Sequence, residues 1–351
     1  MKRLLGRMEI FTSPHLKNAV TVERIMRNVV TALLPICAFA VYQFGISALA
    51  LLLATTTAAM GTEWLFSRLA GKRSTLNDWS VVITGLLLAL TLPPGFPLWM
   101  AAVAAFVGVA MGKVLFGGLG FNVMNPALVG RAFVQAAFPV SITTWTPAFA
   151  PGRFTEFIPS TLAFPFLTPP PVNEWVDSLQ MDAFTGATPL ALQKFEHQVV
   201  DTTDLFTGMV AGSAGETSAL LILLCGLYLA LRGMMDWRIP AAVMGSAALL
   251  ALPFWLLNPQ IYPSPVFMLF SGGLMLGAWF MASDMVVSPV TPMGVILYGT
   301  LIGGLIVVIR LFGGLPEGVM YAILIGNAAA PLIADVTQPR IYGAVPRKRN
   351  D

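Results

Sequence analysis

Pro292-Met-Gly-Val-Ile-Leu-Tyr-Gly-Thr-Leu-Ile-Gly-Gly-Leu-Ile-Val-Val-Ile309 runs for eighteen residues without a charge. At about 1.5 Å per residue, a helix of this length approaches the roughly 30 Å of a bilayer's hydrocarbon core. The rest of the chain is of the same kind. Of its 351 residues, 56% are hydrophobic and only 11% charged, and the mean hydropathy is +0.77. A soluble domain carries about a quarter of its residues as charges, so most of this surface faces something other than water. Working outward from residues 292–309, apolar runs predict ten spans, near 28–44, 46–67, 79–93, 97–117, 122–138, 216–232, 238–258, 264–283, 292–312 and 317–335.

Cations set the expected orientation, because Lys and Arg accumulate on the cytoplasmic side. With the N-terminus inside, 16 of the 20 Lys and Arg fall in cytoplasmic segments, leaving Arg131, Arg153, Lys194 and Arg310. Both termini are then cytoplasmic, and the excess of three positive charges reflects topology, not nucleic-acid binding. The first 27 residues are too polar for a signal peptide and lack a small-residue cleavage site. Cys37 and Cys225 sit singly in apolar runs, which argues against a disulfide or an iron–sulfur cluster built from this chain alone. His15 and His197 lie outside the spans, so no haem is expected between two helices.

Lys113-Val-Leu-Phe-Gly-Gly-Leu119 is echoed by Ile309-Arg-Leu-Phe-Gly-Gly-Leu315. Asn125-Pro126-Ala127 follows the first copy, and Asn327-Ala-Ala-Ala-Pro331 the second. Five spans separate equivalent points, and an odd number inverts the second copy. The expected fold is therefore an all-α integral membrane protein of about ten transmembrane helices in two inverted five-helix repeats, an arrangement that often places a site near the midplane. The plainer alternative is that Phe-Gly-Gly ends two helices by coincidence. Expected boundaries are a cytoplasmic N-terminal segment 1–27, a first repeat 28–138, an extracytoplasmic loop 139–215, a second repeat 216–337 and a basic cytoplasmic tail 338–351. Loops as long as 139–215 are usually functional or disordered. Its Pro and aromatic content suggests an ordered cap.

Inside that loop stands Asp182-Ala183-Phe184-Thr185-Gly186-Ala187-Thr188-Pro189. Thr188 is a hydroxyl after two small residues, on a turn that a modifying enzyme could reach. Equally, a Thr in such a turn hydrogen-bonds its own backbone. The pattern resembles the flavinylation motif Asp-x-x-Ser/Thr-Gly-Ala-Thr, in which a flavin transferase joins FMN to the last Thr through a phosphoester. Further matches are Thr12-Ser13-Pro14-His15, Leu92-Pro93-Pro94, Phe121-Asn122-Val123-Met124-Asn125-Pro126-Ala127, Gly212-Ser213-Ala214-Gly215-Glu216-Thr217-Ser218 and Asn327 to Ile333. Over nearly its whole length the chain resembles the membrane-protein family that includes the D subunit of the Rnf ion-translocating oxidoreductase. The B subunit of the sodium-pumping NADH:quinone oxidoreductase is a homologue.

The resemblance implies covalent FMN on Thr188, with Asp182, Thr185, Gly186 and Ala187 as the transferase recognition motif. It also implies a second, non-covalent flavin (riboflavin), for which the sequence assigns no residues. The implied setting is the bacterial inner membrane, with loop 139–215 periplasmic. There the other Rnf subunits (A, B, C, E and G) would move electrons between ferredoxin and NAD while Na+ or H+ is translocated. The short N-terminal segment before the first span favours this assignment over the quinone-reducing relative.

Other residues carry two readings each. Arg131, inside an apolar span, is expensive enough to be functional. It could hold a flavin phosphate or an acidic partner, or snorkel to an interface. Glu216 could wall a flavin pocket or merely suit a helix N-terminus. Asp284 and Asp335 could bind the coupling cation, but ending a span explains both. Glu63, beside Trp64, reads as interfacial, and the methionines from Met268 to Met285 read as lipid-facing or packing surface. A solute channel or secondary transporter with inverted repeats remains the alternative function, since fold does not fix function.

Overall fold

The computed structural model describes residues 21–71, 75–178, 187–216 and 218–339. Among them the chain is all helical, with no strand. In order, the helices are α1 (Val22–Phe44), α2 (Ile46–Leu69), α3 (Ser80–Leu90), α4 (Leu98–Val109), α5 (Pro126–Ala137), α6 (Pro139–Ile142), α7 (Val172–Ser178), α8 (Pro189–Ala191), α9 (Thr202–Thr207), α10 (Ala219–Leu231), α11 (Arg238–Leu257), α12 (Pro265–Phe270), α13 (Leu274–Leu276), α14 (Pro292–Phe312) and α15 (Val319–Thr337). Wider π turns extend α4 over Ala110–Val114, α8 over Leu192–Glu196 and α13 over Gly277–Met281. Five helices (α1, α2, α11, α14 and α15) are long and apolar enough to cross a membrane. Three shorter apolar helices, Ser80–Leu90, Leu98–Val114 and Ala219–Leu231, accompany them.

Local sequence sets the helix starts. Asn125-Pro126, Thr188-Pro189, Ser264-Pro265 and Thr291-Pro292 each place a capping oxygen before a proline at the first helical position. The proline lacks an N–H that would have been orphaned there, and the cap satisfies one of the N–H groups that follow. The apolar run expected over 264–283 is interrupted instead. Ser271, Gly272 and Gly273 separate α12 from α13, with Gly272 at φ +58°. Unwound backbone at membrane depth needs partners, and it has them. The Arg310 guanidinium donates to Met268 O (2.6 Å) and Ser271 O (2.9 Å). Likewise α3 stops at Leu90, and the buried stretch 91–97 follows. The N–H groups of Ala214 and Gly215 donate to Leu92 O and Leu90 O there.

Pairings recur between the two halves. Helix α2 packs on α3 and α4 as α11 packs on α12 and α14; α4 packs on α5 as α14 packs on α15. Across the middle, α1 meets α10 and α5 meets α15. At that junction the Asn327 amide, oriented to satisfy its neighbours, accepts from the Asn125 N–H (3.1 Å) and donates to Ile323 O and the Tyr298 hydroxyl. Glycine sets the closest approach in the second half. A Cβ on Gly303 of α14 would lie 2.1 Å from Ser246 Oγ and 2.3 Å from Val243 O on α11.

The described parts of 139–215 lie against one set of helix ends. Arg153 O accepts from Ile46 N–H, Thr161 O from Leu98 N–H, and Gln43 O from Phe149 N–H. The Gln43 amide reaches Gly208 O and Val210 O, both at 3.0 Å. The side chains at Cys37 and Cys225 are buried free thiols.

Candidate functional site

Thr188 opens α8. Its Oγ1 accepts the Ala191 N–H at 3.3 Å, and its carbonyl accepts the Leu192 N–H at 2.9 Å. The plain turn role expected of a Thr here is therefore filled. The residue is only 6% exposed, which corrects the expectation of an accessible turn: Pro189 and Leu190 are buried with it, Leu190 in a small cluster with Leu205 and Phe267. Ala187 is half-buried. Asp182, Thr185 and Gly186, the rest of the expected motif, lie outside the described residues.

Thr188 faces a narrow recess of about 10 Å³, walled also by Val210, Gly212, Ser213, Glu216, Gly272 and Glu317. Two of the residues singled out in the sequence meet here. Arg131 Nη1 donates to Glu216 Oε1 and Arg131 Nη2 to Glu317 Oε2, each at 2.7 Å. The guanidinium therefore has two acidic partners and does not snorkel. Breaking such a buried arrangement from one side strands a charge and typically costs about 3–5 kcal/mol. Glu216 Oε2 is buried without a hydrogen-bond partner and Ser271 Oγ likewise. Gly272 is the close point of the far wall: a Cβ there would stand 2.5 Å from Leu190 Cδ1, 2.7 Å from Glu317 Oε1 and 3.3 Å from Arg310 Nη2.

Glu317 and Arg310 were not singled out as site residues in the sequence, where Arg310 counted only among the cations outside the cytoplasmic segments and within the second repeat copy. A second omission lies at the opposite helix ends. Lys113 and Glu63 are 1% and 2% exposed and form an ion pair of 2.7 Å. The ammonium also donates to Ser80 Oγ at 2.7 Å, and Thr75 Oγ1 donates to Glu63 Oε1. So Glu63 is not interfacial, and Lys113, counted with the cytoplasmic cations, is enclosed by helices. Single opposite charges in two apolar runs, 46–67 and 97–117, were the available signal.

Lys113 borders a cavity of about 90 Å³, with Met26, Leu87, Asn122, Asn125, Trp279 and Asp284 among its walls. Trp279 Nε1 and Asn122 Oδ1 are buried there without partners. Met268, Met275 and Met281 are core residues, whereas Met285 is exposed. Asp284 caps the turn at Val286 N–H (3.0 Å), and Asp335 lies on the last turn of α15. No group of three or more metal-ligating side chains occurs among the described residues.

A family model described as "NQR2, RnfD, RnfE family" matches residues 9–343. The chain belongs to that family. Among its relatives is the D subunit of the Na(+)-translocating ferredoxin:NAD(+) oxidoreductase complex of Acetobacterium woodii, 40% identical over 97% of each chain. The D subunit of the proton-translocating ferredoxin:NAD(+) oxidoreductase complex of Clostridium ljungdahlii is 37% identical, over 95% of this chain and 96% of that one. The corresponding D subunit of the ion-translocating oxidoreductase complex of Alcanivorax borkumensis is 38% identical with the same coverage.

Proposed function

We propose that this family member is a flavin-carrying electron-transfer subunit of a membrane complex that couples electron transfer between ferredoxin and NAD to translocation of Na+ or H+. The observation that carries the reading is Thr188: the hydroxyl that ends the expected flavinylation motif lines a built recess and does not sit on open loop. The near full-length likeness to three D subunits supports the complex. Its other members would be the remaining Rnf subunits (A, B, C, E and G), with a flavin transferase for maturation. The recurrent helix pairings support ten crossings in two inverted halves. Termini would be cytoplasmic and loop 139–215 periplasmic, in a bacterial inner membrane.

The residues suit a phosphoester. Thr188 Oγ1 accepts a hydrogen bond from the Ala191 N–H, a role that an esterified oxygen keeps. Gly212 and Gly272 share the recess wall with Thr188, Arg131 pairs with both carboxylates there, and Arg310 lies behind Gly272. FMN at Thr188 would supply one-electron redox chemistry, with its ring unmodified because the bond is to phosphate. What the chain does is hold the tether and exclude water around it. For the second flavin, riboflavin, the cavity beside Lys113 offers an aromatic wall at Trp279 and Phe280. It also offers an unpaired donor at Trp279 Nε1 and an unpaired acceptor at Asn122 Oδ1.

The test is in-gel flavin fluorescence of the denatured chain, made in a host with the transferase, beside Thr188→Val. A fluorescent band lost in the variant is the expected outcome. A dark wild-type band would refute the covalent carrier and favour a solute channel.

A further inference from the structure

Thr188 does not stand alone on its helix. From Thr188 to Glu196 the backbone is one continuous rod, α8 followed by its π turn. Three side chains fasten that rod to the second half of the molecule. Leu190 packs with Leu205 and Phe267, and the Gln193 amide donates to Ile261 O at 2.9 Å. The third fastening is ionic. Lys194 Nζ donates to Arg310 O (2.9 Å), to Leu315 O (3.0 Å) and to Gly313 O, all at the C-terminal end of α14.

An α-helix ends with carbonyls that have no partner within the helix and with a partial negative charge. An ammonium has three donors and no acceptor. Here three donors meet three acceptors, so the fit is complete. Partial burial lowers the Lys194 pKa from its ordinary value, because desolvation penalises the ammonium. The same turn of α14 carries Arg310, whose guanidinium holds the broken end of α12 at Met268 O and Ser271 O. One helix end therefore fixes both the rod that bears Thr188 and the unwound segment that walls its recess at Gly272.

We propose that Lys194 is a positioning residue for the group carried by Thr188: seated among the α14 carbonyls, it fixes the orientation of that group relative to the membrane helices. The proposal rests on the covalent-flavin reading. It predicts that attachment of flavin and its confinement are separable properties. The transferase reads the motif up to Thr188, whereas Lys194 acts on where the finished group sits.

The experiment compares wild type, Lys194→Met and Lys194→Arg as full chains in detergent, coexpressed with the transferase and freed of non-covalent flavin. In-gel fluorescence reads attachment, and time-resolved anisotropy of the native protein reads confinement. A nitroxide on Ala191→Cys, in a Cys37→Ala/Cys225→Ala background, reads the rod itself without needing flavin. Expected for Lys194→Met are wild-type in-gel intensity, an added nanosecond depolarisation that lowers the residual anisotropy at least twofold, and a mobile nitroxide spectrum. Lys194→Arg, which keeps the charge and the donors, restores most of both. Full attachment with wild-type anisotropy in Lys194→Met would overturn the proposal. So would failure of Arg to rescue, since that would reduce Lys194 to packing. A dark wild-type gel would instead refute the flavin reading, and the nitroxide would still decide whether Lys194 seats the rod.

Discussion

Consider removal of one partner from the Lys113–Glu63 pair. The contact is 2.7 Å and both side chains are 2% exposed, so solvent screens little of it. At an effective dielectric near 20 the attraction is about 6 kcal/mol, offset by a desolvation cost of several kcal/mol per ion. The net worth of the intact pair is therefore small. Its asymmetry is not. Among the described residues, Lys113→Met leaves the buried carboxylate with the Thr75 hydroxyl, and Glu63→Gln leaves the buried ammonium with Ser80. Each single variant should lose about 3–5 kcal/mol. Glu63→Gln/Lys113→Met removes both charges and should recover at least about 2 kcal/mol relative to the sum of the singles, the non-additivity of groups in contact. The assay is a detergent-micelle unfolding titration with SDS, followed by helical circular dichroism, over all four members of the cycle. Singles costing under about 1 kcal/mol, or strict additivity, would show that the charges are hydrated and would refute the burial argument.

Gly303→Val should force α11 and α14 apart, because the first added carbon already overlaps Ser246 and Val243. Overpacking of this kind costs about 1–3 kcal/mol or more, read as a lower melting temperature, and an unchanged value would contradict the helix contact. Cys37 and Cys225 should resist N-ethylmaleimide in the folded protein and both react once SDS unfolds it, as mass spectrometry would register; rapid labelling of native protein would deny their burial. Trp279→Leu should reduce riboflavin retained by the purified chain at least severalfold while leaving in-gel fluorescence unchanged, and undiminished retention would place that flavin elsewhere. A cysteine at Phe166, which is 95% exposed, should label with a membrane-impermeant maleimide in intact cells, and labelling only after lysis would reverse the proposed orientation.

Much of the helical layout was legible because hydrocarbon imposes long uncharged runs; the caps before proline at Asn125, Ser264 and Thr291 came with the structure. The interruption at Ser271–Gly273 was not legible, since two glycines and a serine inside an apolar run break a helix only when something receives the freed carbonyls. That receiver, Arg310, is 39 residues away from Ser271. For the same reason single charges misled. Glu63 and Lys113 each looked terminal in their own span, and only packing of α2 beside the π turn after α4 brings them together. Arg131 and Glu216 were visible as candidates, whereas their third member, Glu317, sits in the short turn between α14 and α15 and had no local signature.

The burial of Thr188 has a consequence for the order of events in the life of the chain. An enzyme that modifies this hydroxyl needs room around it, and the settled rod leaves almost none. On the covalent-flavin reading, the rod must leave its seat for the hydroxyl to be reached, so loading with flavin and seating of the rod are coupled steps.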